Sequence, residues 1–183
     1  MFKLGIFMTI LCLGASASAS SDVPRSTDES DEGFGLYAYG DSVGGLPLFY
    51  SEGKAFIGDP TNSTSSTASS VTFIADSSKG WVGNPNGTTK AKAGWSDECL
   101  YIPSSSSSDH QMGFTSETLS NETTDAFFLY GQWVMVKSDN DDISSSFYIR
   151  EVSESEGTYS LLWNVTDEDG AVPISLRSTK PSD

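Results

Sequence analysis

Cysteine is scarce in this 183-residue chain, which contains only Cys12 and Cys99. Cys12 lies in an N-terminal apolar segment that we expect to be removed, so the mature chain would keep one free thiol and form no internal disulfide. This excludes the cysteine-dense secreted toxins, whose small cores depend on crosslinks. We expect Cys99 to be either a buried apolar residue or a thiol that pairs between chains.

Positive charge is also scarce, with 10 Lys plus Arg against 25 Asp plus Glu and a formal net charge of −15. Contacts from lysine and arginine to phosphate supply most of the non-specific binding energy for nucleic acids, and this chain would repel a polyanion. We therefore predict no nucleic-acid partner and no attachment to anionic membranes. The ordinary role of such acidity is solubility in an extracellular medium.

Motifs of catalysis, cofactor binding and metal binding are missing from the sequence. The one histidine is His110, and no serine lies in a Gly-x-Ser-x-Gly motif, so a Ser-His-Asp triad would need a histidine from a polar loop. The acidic clusters 139–142 and 167–169 lack the ligand spacing and the glycine of a helix-loop-helix calcium site, and we interpret them as solvated hairpin tips. We predict no catalytic residue, no metal and no cofactor. A pair of carboxylates acting on a polysaccharide is an open alternative, although nothing in the sequence selects two of them.

Long apolar runs are absent except at the N-terminus, where Lys3 precedes an apolar run, Leu4–Leu13, and the small residues Ala15–Ala19 follow. This pattern is typical of a secretory signal peptide over residues 1–19. The run is too short for membrane insertion, which needs about 20 apolar residues. The C-terminus lacks the apolar tail of a lipid-anchor signal. We expect a secreted, extracellular and soluble product.

Four N-glycosylation sequons occur, at Asn62, Asn86, Asn121 and Asn164. Each is a weak pattern alone, but a signal peptide places the chain where such sites are used. The sequons therefore predict a glycoprotein from a eukaryote, with Asn86 the least accessible because it lies in an Asn-Pro-Asn-Gly turn.

Short extended runs separated by Gly, Ser, Asn, Asp and Pro clusters fill the remaining chain. We divide it into an acidic disordered leader (20–32), one folded domain (33–177) and a short C-terminal tail (178–183). Apolar residues are not spaced as in an amphipathic helix. The pattern predicts one all-β domain, an antiparallel sandwich or barrel. The predicted strands are Gly33–Gly40, Leu46–Tyr50, Lys54–Ile57, Val71–Ala75, Gly80–Val82, Leu100–Ile102, Gln111–Phe114, Ala126–Tyr130, Gln132–Lys137, Ser146–Val152, Thr158–Val165 and Val172–Arg177.

The last three of these runs alternate apolar and polar residues most clearly. The loops between them contain Gly157 and Gly170, and glycine supplies the positive φ that hairpin loops require. We therefore predict that the three runs form an antiparallel meander.

Tryptophan is well represented, at positions 81, 95, 133 and 163. Burial of these large rings is the main stabilisation open to a β domain without disulfides, and we expect Trp163 in the core. Trp81 and Trp95 lie among Gly, Asn and Ser residues and are our candidates for exposed rings that stack on sugars. Such rings would make the protein a binder of cell-wall carbohydrate.

Several glycine- and aromatic-rich segments carry a family resemblance. The segments are Gly33–Gly40, Gly44–Tyr50, Ala55–Pro60, Ser160–Asn164 and Val172–Arg177. The chain resembles a group of small secreted proteins from filamentous ascomycete fungi. The resemblance implies a fungal secreted protein of a kind counted among candidate effectors or wall-associated proteins, and it carries over no functional residue.

Three functions follow from these observations. The first is a non-catalytic, effector-like protein that acts in virulence on a host or microbial protein target, as secretion, small size and missing catalytic motifs suggest. The second is a carbohydrate-binding or cell-wall-associated protein that uses exposed aromatic rings. The third is a polysaccharide-active hydrolase that uses a carboxylate pair.

Overall fold

The structure is a computed structural model that describes residues 33–41, 43–86, 93–117, 119–153, 155–165 and 170–182. The predicted signal peptide (1–19), the acidic leader (20–32) and the acidic cluster at 167–169 lie outside the described residues. In the part of the chain that the structure describes, no helix is long and apolar enough to cross a membrane.

Antiparallel β-strands make up most of the described chain. They are β1 (Tyr37–Gly40), β2 (Val43–Ser51), β3 (Lys54–Ile57), β4 (Ser69–Asp76), β5 (Gly80–Pro85), β6 (Glu98–Pro103), β7 (Gly113–Thr115), β8 (Glu122–Thr123), β9 (Phe127–Tyr130), β10 (Trp133–Lys137), β11 (Ile143–Ser144), β12 (Phe147–Glu151), β13 (Tyr159–Trp163) and β14 (Val172–Arg177). A short 3-10 helix, Pro60–Asn62, begins after Asp59, whose carboxylate accepts a hydrogen bond from the Thr61 N–H.

Ten of these strands close into an antiparallel barrel. The order around the barrel is β1-β2-β4-β5-β6-β7-β3-β13-β12-β14, and β14 pairs again with β1. The remaining strands extend it, because β10 pairs with β14, β9 and β11 pair with β10, and β8 pairs with β6. The all-β prediction is therefore confirmed, in its barrel form.

The long strand β2 links two parts of the barrel. Its first half pairs with β1, and its second half pairs with β3 and β4. The register with β1 shifts between Ala38 and Tyr39, opposite Gly45, which has a φ of +87°. An extra residue in the left-handed conformation bends a strand and increases its twist. This bulge therefore lets β2 turn away from β1 towards its other partners.

The core consists of inward side chains at alternate positions of these strands. Each large apolar side chain that becomes fully buried contributes about 1.5–3 kcal/mol. The largest fully buried ones are Phe49, Phe73, Phe147, Leu36, Leu48, Ile57, Leu100, Met112, Ile149, Leu161, Leu176 and Val134.

The meander predicted for the last three strands is wrong in its order. β13 pairs with β12 and β3, whereas β14 pairs with the opposite edge of β12. Phe147 consequently faces Trp163 on one side and Ile174 on the other. β14 therefore lies on the side of β12 opposite to β13, and there it also pairs with β1 and closes the barrel.

Candidate functional site: an exposed aromatic row

Trp81 and Trp95 lie in the core, so the prediction that they form an exposed sugar-stacking surface is wrong. Trp81 is 4% exposed and stacks on Phe127, with 5.4 Å between ring centroids. Trp95 is 9% exposed, stacks on Tyr50 at 4.0 Å and donates its indole N–H to the Thr67 carbonyl. The polar residues around both tryptophans belong to turns and to the outer face, whereas the rings point inward.

Trp133 has the opposite environment, since its side chain is 44% exposed. It faces Tyr130 directly across the β9–β10 hairpin, and Tyr130 is 74% exposed. The loop between them has only two residues, and Gly131 adopts a φ of +62° there. Tight two-residue hairpins favour glycine at such a positive φ, so Gly131 lets Tyr130 and Trp133 face each other across the hairpin.

The same face of the sheet continues from Trp133 to β14 and β1. Trp133 is the register partner of Arg177, whose guanidinium carbon lies 4.0 Å from the Trp133 ring centroid. On its other side this carbon lies 4.7 Å from the ring centroid of Tyr39. Such cation–π contacts contribute about 0.5–1 kcal/mol at exposed sites. We refer to Tyr130, Trp133, Arg177 and Tyr39 as the aromatic row.

Hydrogen bonds from the segment that follows β14 hold the aromatic row in place. The Tyr39 hydroxyl donates to the Thr179 carbonyl at 2.9 Å, and the Ser178 N–H donates to the Gln132 carbonyl at 2.9 Å. Arg177 Nε is buried and has no hydrogen-bond partner among the described residues. The rings of Trp133 and Tyr39 on either side therefore pack against the guanidinium and position it.

An exposed cluster of this kind is suited to binding a flat, weakly polar ligand. Large exposed aromatic clusters mark interaction surfaces, because water contact with the rings is unfavourable. The four strands that carry the row span about 14 Å at the usual strand spacing. Sugar rings present flat C–H faces that stack on Trp and Tyr, and their hydroxyls can accept hydrogen bonds from a guanidinium. The row therefore has the shape and chemistry to bind several linked sugars.

The sequence contained a signal for this site that the prediction missed. Alternation along the predicted strand Gln132–Lys137 places Val134 and Val136 on one face and Trp133 with Lys137 on the other. Because Val134 and Val136 are apolar and Lys137 is charged, the face that carries Trp133 is the outer one. Arg177, however, is joined to the row only through the register between β14 and β10, which no local pattern shows.

The asparagines of all four sequons, Asn62, Asn86, Asn121 and Asn164, are exposed. Thr88 and Thr166, which complete the second and fourth sequons, lie outside the described residues. Asn62 Nδ2 donates a hydrogen bond to the Glu156 carbonyl at 3.3 Å. A glycosylated amide keeps one N–H, so this contact is compatible with attached sugar.

Cys99, the predicted free thiol, is a half-buried residue of β6. Burial raises the pKa of this thiol, and the charge of Lys79 partly offsets the effect. A thiol with a raised pKa is a poor nucleophile at neutral pH.

His110 and the carboxylates nearest to it have structural contacts. His110 Nδ1 lies 3.2 Å from the Trp163 carbonyl, and the Trp163 N–H donates to the His110 carbonyl. The neighbouring Asp109 forms a 2.8 Å ion pair with Lys54. Burial raises the pKa of Asp109, but hydrogen bonds from Lys54 and the Gln111 N–H outweigh this, so the pKa is lowered overall. These contacts favour an ionised, structural Asp109 over a catalytic acid.

The acidic cluster at 139–142 lies in the loop between β10 and β11. Asp141 adopts a φ of +65° there and pairs with Lys137 at 2.7 Å. Among the described residues, no group of three or more His, Cys, Asp or Glu side chains is arranged to hold a metal ion.

No protein-family model matches the chain, and neither a curated protein nor a solved structure matches it.

Proposed function

We propose that this chain is a secreted, glycosylated, non-catalytic protein that binds cell-wall polysaccharide through the aromatic row. The observation that carries the proposal is the alignment of exposed Tyr130 and Trp133 with the ring-held Arg177 on one face of the sheet.

The exposure of these rings supports a ligand-binding role. A β domain gains stability by burying aromatic residues, and this barrel buries Trp81 and Trp95. Trp133 and Tyr130 instead lie on the outer face, where Arg177 packs against the Trp133 ring and the Ser178 N–H donates to the carbonyl of Gln132 in the hairpin loop. Rings packed in this way lose little conformational entropy when a ligand binds.

The charge of the molecule supports a neutral polymer as the ligand. A net charge of −15 repels polyanions at long range, but it leaves the binding of uncharged sugars unaffected. The resemblance to small secreted fungal proteins supports chitin, β-glucan or cellulose as the polymers to test first.

The effector-like function stays a prediction that rests on the sequence. It is compatible with sugar binding, because a secreted protein can act on a host or microbe by binding wall carbohydrate. Unchanged host colonisation after deletion of the gene would count against it.

The direct test is a pull-down of the purified protein on insoluble chitin, β-glucan and cellulose. We expect the wild type to bind at least one polymer and the Trp133→Ala and Tyr130→Ala variants to be lost to the supernatant. Leu119→Ala is the matched control, because Leu119 is a comparably exposed apolar residue outside the row. Retention of Trp133→Ala on the polymer at the wild-type level, or no binding of the wild type to any of the three, would overturn the proposal.

A further inference from the structure

A groove separates the edge of β4 from the edge of β9. It encloses about 390 Å³. Its apolar wall includes Phe34, Trp81 and Phe127, and Phe34 packs edge-on against Trp81 at 5.1 Å. Asp76 and Asp125 also line it. The groove is therefore apolar with two acidic residues, and it differs in chemistry from the aromatic row.

The β9 side of the groove is an open strand edge. The Lys137 N–H donates to the carbonyl of Ala126, the residue just before β9. Backbone groups that face β10 recur at every second residue, so Phe128 and Tyr130 are the residues of β9 that hydrogen-bond to β10. Backbone groups alternate in direction along an antiparallel strand. The N–H and C=O groups of Phe127 and Leu129 therefore point away from β10, towards the groove. Among the described residues, β10 is the only strand that pairs with β9.

On the β4 side of the groove, the described residues pair with the strand edge as far as Phe73. Phe73 exchanges two backbone hydrogen bonds with Phe34, at 2.8 and 2.9 Å, on the edge of β4 that faces away from β5. By the same alternation, the N–H and C=O groups of Ala75 also point to this edge. Within the described residues, the pairing along this edge ends at Phe73.

The sequence of β9 does nothing to block pairing at its edge. Natural edge strands usually carry a lysine, a proline or a bulge that prevents association with another strand. The strand Phe127–Tyr130 contains no charge and no proline, and three of its four residues, two phenylalanines and a tyrosine, favour β-structure. An unprotected edge beside an apolar groove is the arrangement that binds an added peptide strand.

We propose that the groove between β4 and β9 binds an extended, basic segment of a partner protein, which adds as a strand to β9. Its backbone would hydrogen-bond to Leu129 and Phe127, its apolar side chains would contact Phe34 and Trp81, and its lysines or arginines would lie near Asp76 and Asp125.

Charge selects this occupant over a second copy of the chain. Two copies would each bring a net charge of −15, which opposes association. Hydrogen bonds from the Ser78 hydroxyl and N–H lower the pKa of Asp76, so its carboxylate stays ionised in mildly acidic medium. A basic segment gains from this charge, and an acidic segment is repelled.

The probe is a short fluorescent peptide of alternating lysine and valine, titrated into the whole protein and followed by fluorescence anisotropy. We expect saturable binding that weakens with salt. A glutamate–valine peptide should not bind. Methylation of the backbone nitrogens on one edge of the lysine–valine peptide should abolish binding, because it removes the strand hydrogen bonds and keeps every side chain. Equal binding of the methylated peptide, or no binding of the lysine–valine peptide, would contradict the proposal.

Leu129→Pro tests the protein side of the same contact. The Leu129 N–H points away from β10, so proline there should leave the hairpin intact and weaken peptide binding by roughly tenfold, as expected for loss of an interface hydrogen bond. Leu129→Ala is the control that keeps the N–H, and it should bind within about twofold of the wild type. Trp133→Ala should leave peptide binding unchanged, which separates this site from the carbohydrate site. If Leu129→Pro binds like Leu129→Ala, or if Trp133→Ala removes peptide binding, the proposal is wrong.

Discussion

At the scale of single residues, two tryptophans of this protein have opposite environments. Trp81 packs against Phe34, Phe73 and Phe127, whereas Trp133 covers Arg177 on the outer face. The first stabilises the fold and the second leaves its ring open to a ligand. The sequence indicated Trp81 as a candidate for exposure and did not single out Trp133, because local polarity indicates a turn but does not give the direction of a side chain.

Substitution of these two residues should separate stability from binding. Trp81→Ala removes a buried ring and should lower the free energy of unfolding by about 3–5 kcal/mol, whereas Trp133→Ala should lower it by no more than about 1–2 kcal/mol. Urea denaturation followed by circular dichroism measures both. A Trp133→Ala variant as unstable as Trp81→Ala would mean that the row is structural.

Glu98 makes stability depend on pH. Burial raises the pKa of this half-buried carboxyl above its ordinary value of 4.5. The folded state therefore binds the Glu98 proton more tightly than the unfolded state, and this contribution to stability is present below pH 4.5 and is lost as pH rises through the raised folded value.

Glu98→Gln should therefore raise the free energy of unfolding at about pH 7, by less than about 1 kcal/mol because solvent screens a half-exposed group, and should change it little at about pH 3. Denaturation at the two pH values tests this. Glu151→Gln, which removes the charge of an exposed glutamate, is the matched control. Equal effects of Glu98→Gln at both pH values would contradict the burial argument.

At the scale of elements, the β9–β10 hairpin presents the site. Its sequence predicts both strands, and the structure places them at Phe127–Tyr130 and Trp133–Lys137. Most other predicted runs also match a strand within a few residues, because alternation and turn residues are local signals. The order of β12, β13 and β14 could not be predicted from these local signals. Closure of the whole barrel determines which edge of β12 pairs with β14.

Gly131→Val should disturb this hairpin through the backbone alone. A Cβ at Gly131 meets no atom within 4 Å, but the φ of +62° is strained for a β-branched residue. We expect a loss of about 1–2 kcal/mol in stability and weaker polysaccharide binding, because Tyr130 and Trp133 lose their fixed spacing. Gly170→Val, at a φ of +82° and also without close atoms, is the control away from the row. It should cost similar stability and leave polysaccharide binding unchanged.

At the scale of the whole molecule, β14 connects the barrel to the site. It closes the barrel against β1 and β12, and Arg177 at its end lies between two rings of the aromatic row. The barrel could be anticipated as an all-β fold from composition and alternation. The aromatic row could not be predicted in full. Its residues are far apart in the chain, from position 39 to position 177, and only the pairing of distant strands brings them together.

Glycosylation is the whole-molecule property that the exposed sequons predict. Secretion from a eukaryotic host should give a protein whose mass falls in discrete steps on treatment with an N-glycosidase, up to one step for each of Asn62, Asn86, Asn121 and Asn164. Mass spectrometry of the treated and untreated protein measures this. A secreted protein with no mass change would contradict the glycoprotein prediction.

The central claim, that the aromatic row binds sugars, is tested most directly by titrating the protein with a soluble oligosaccharide of the polymer that retains it, while tryptophan fluorescence is recorded. Trp133 is exposed to water, whereas Trp81 and Trp95 are buried, so a stacked sugar should shift the emission of Trp133 to shorter wavelength. We predict a saturable shift in the wild type that is absent in Trp133→Ala. The same saturable shift in Trp133→Ala, or no shift in the wild type at oligosaccharide concentrations that elute it from the polymer, would contradict the account.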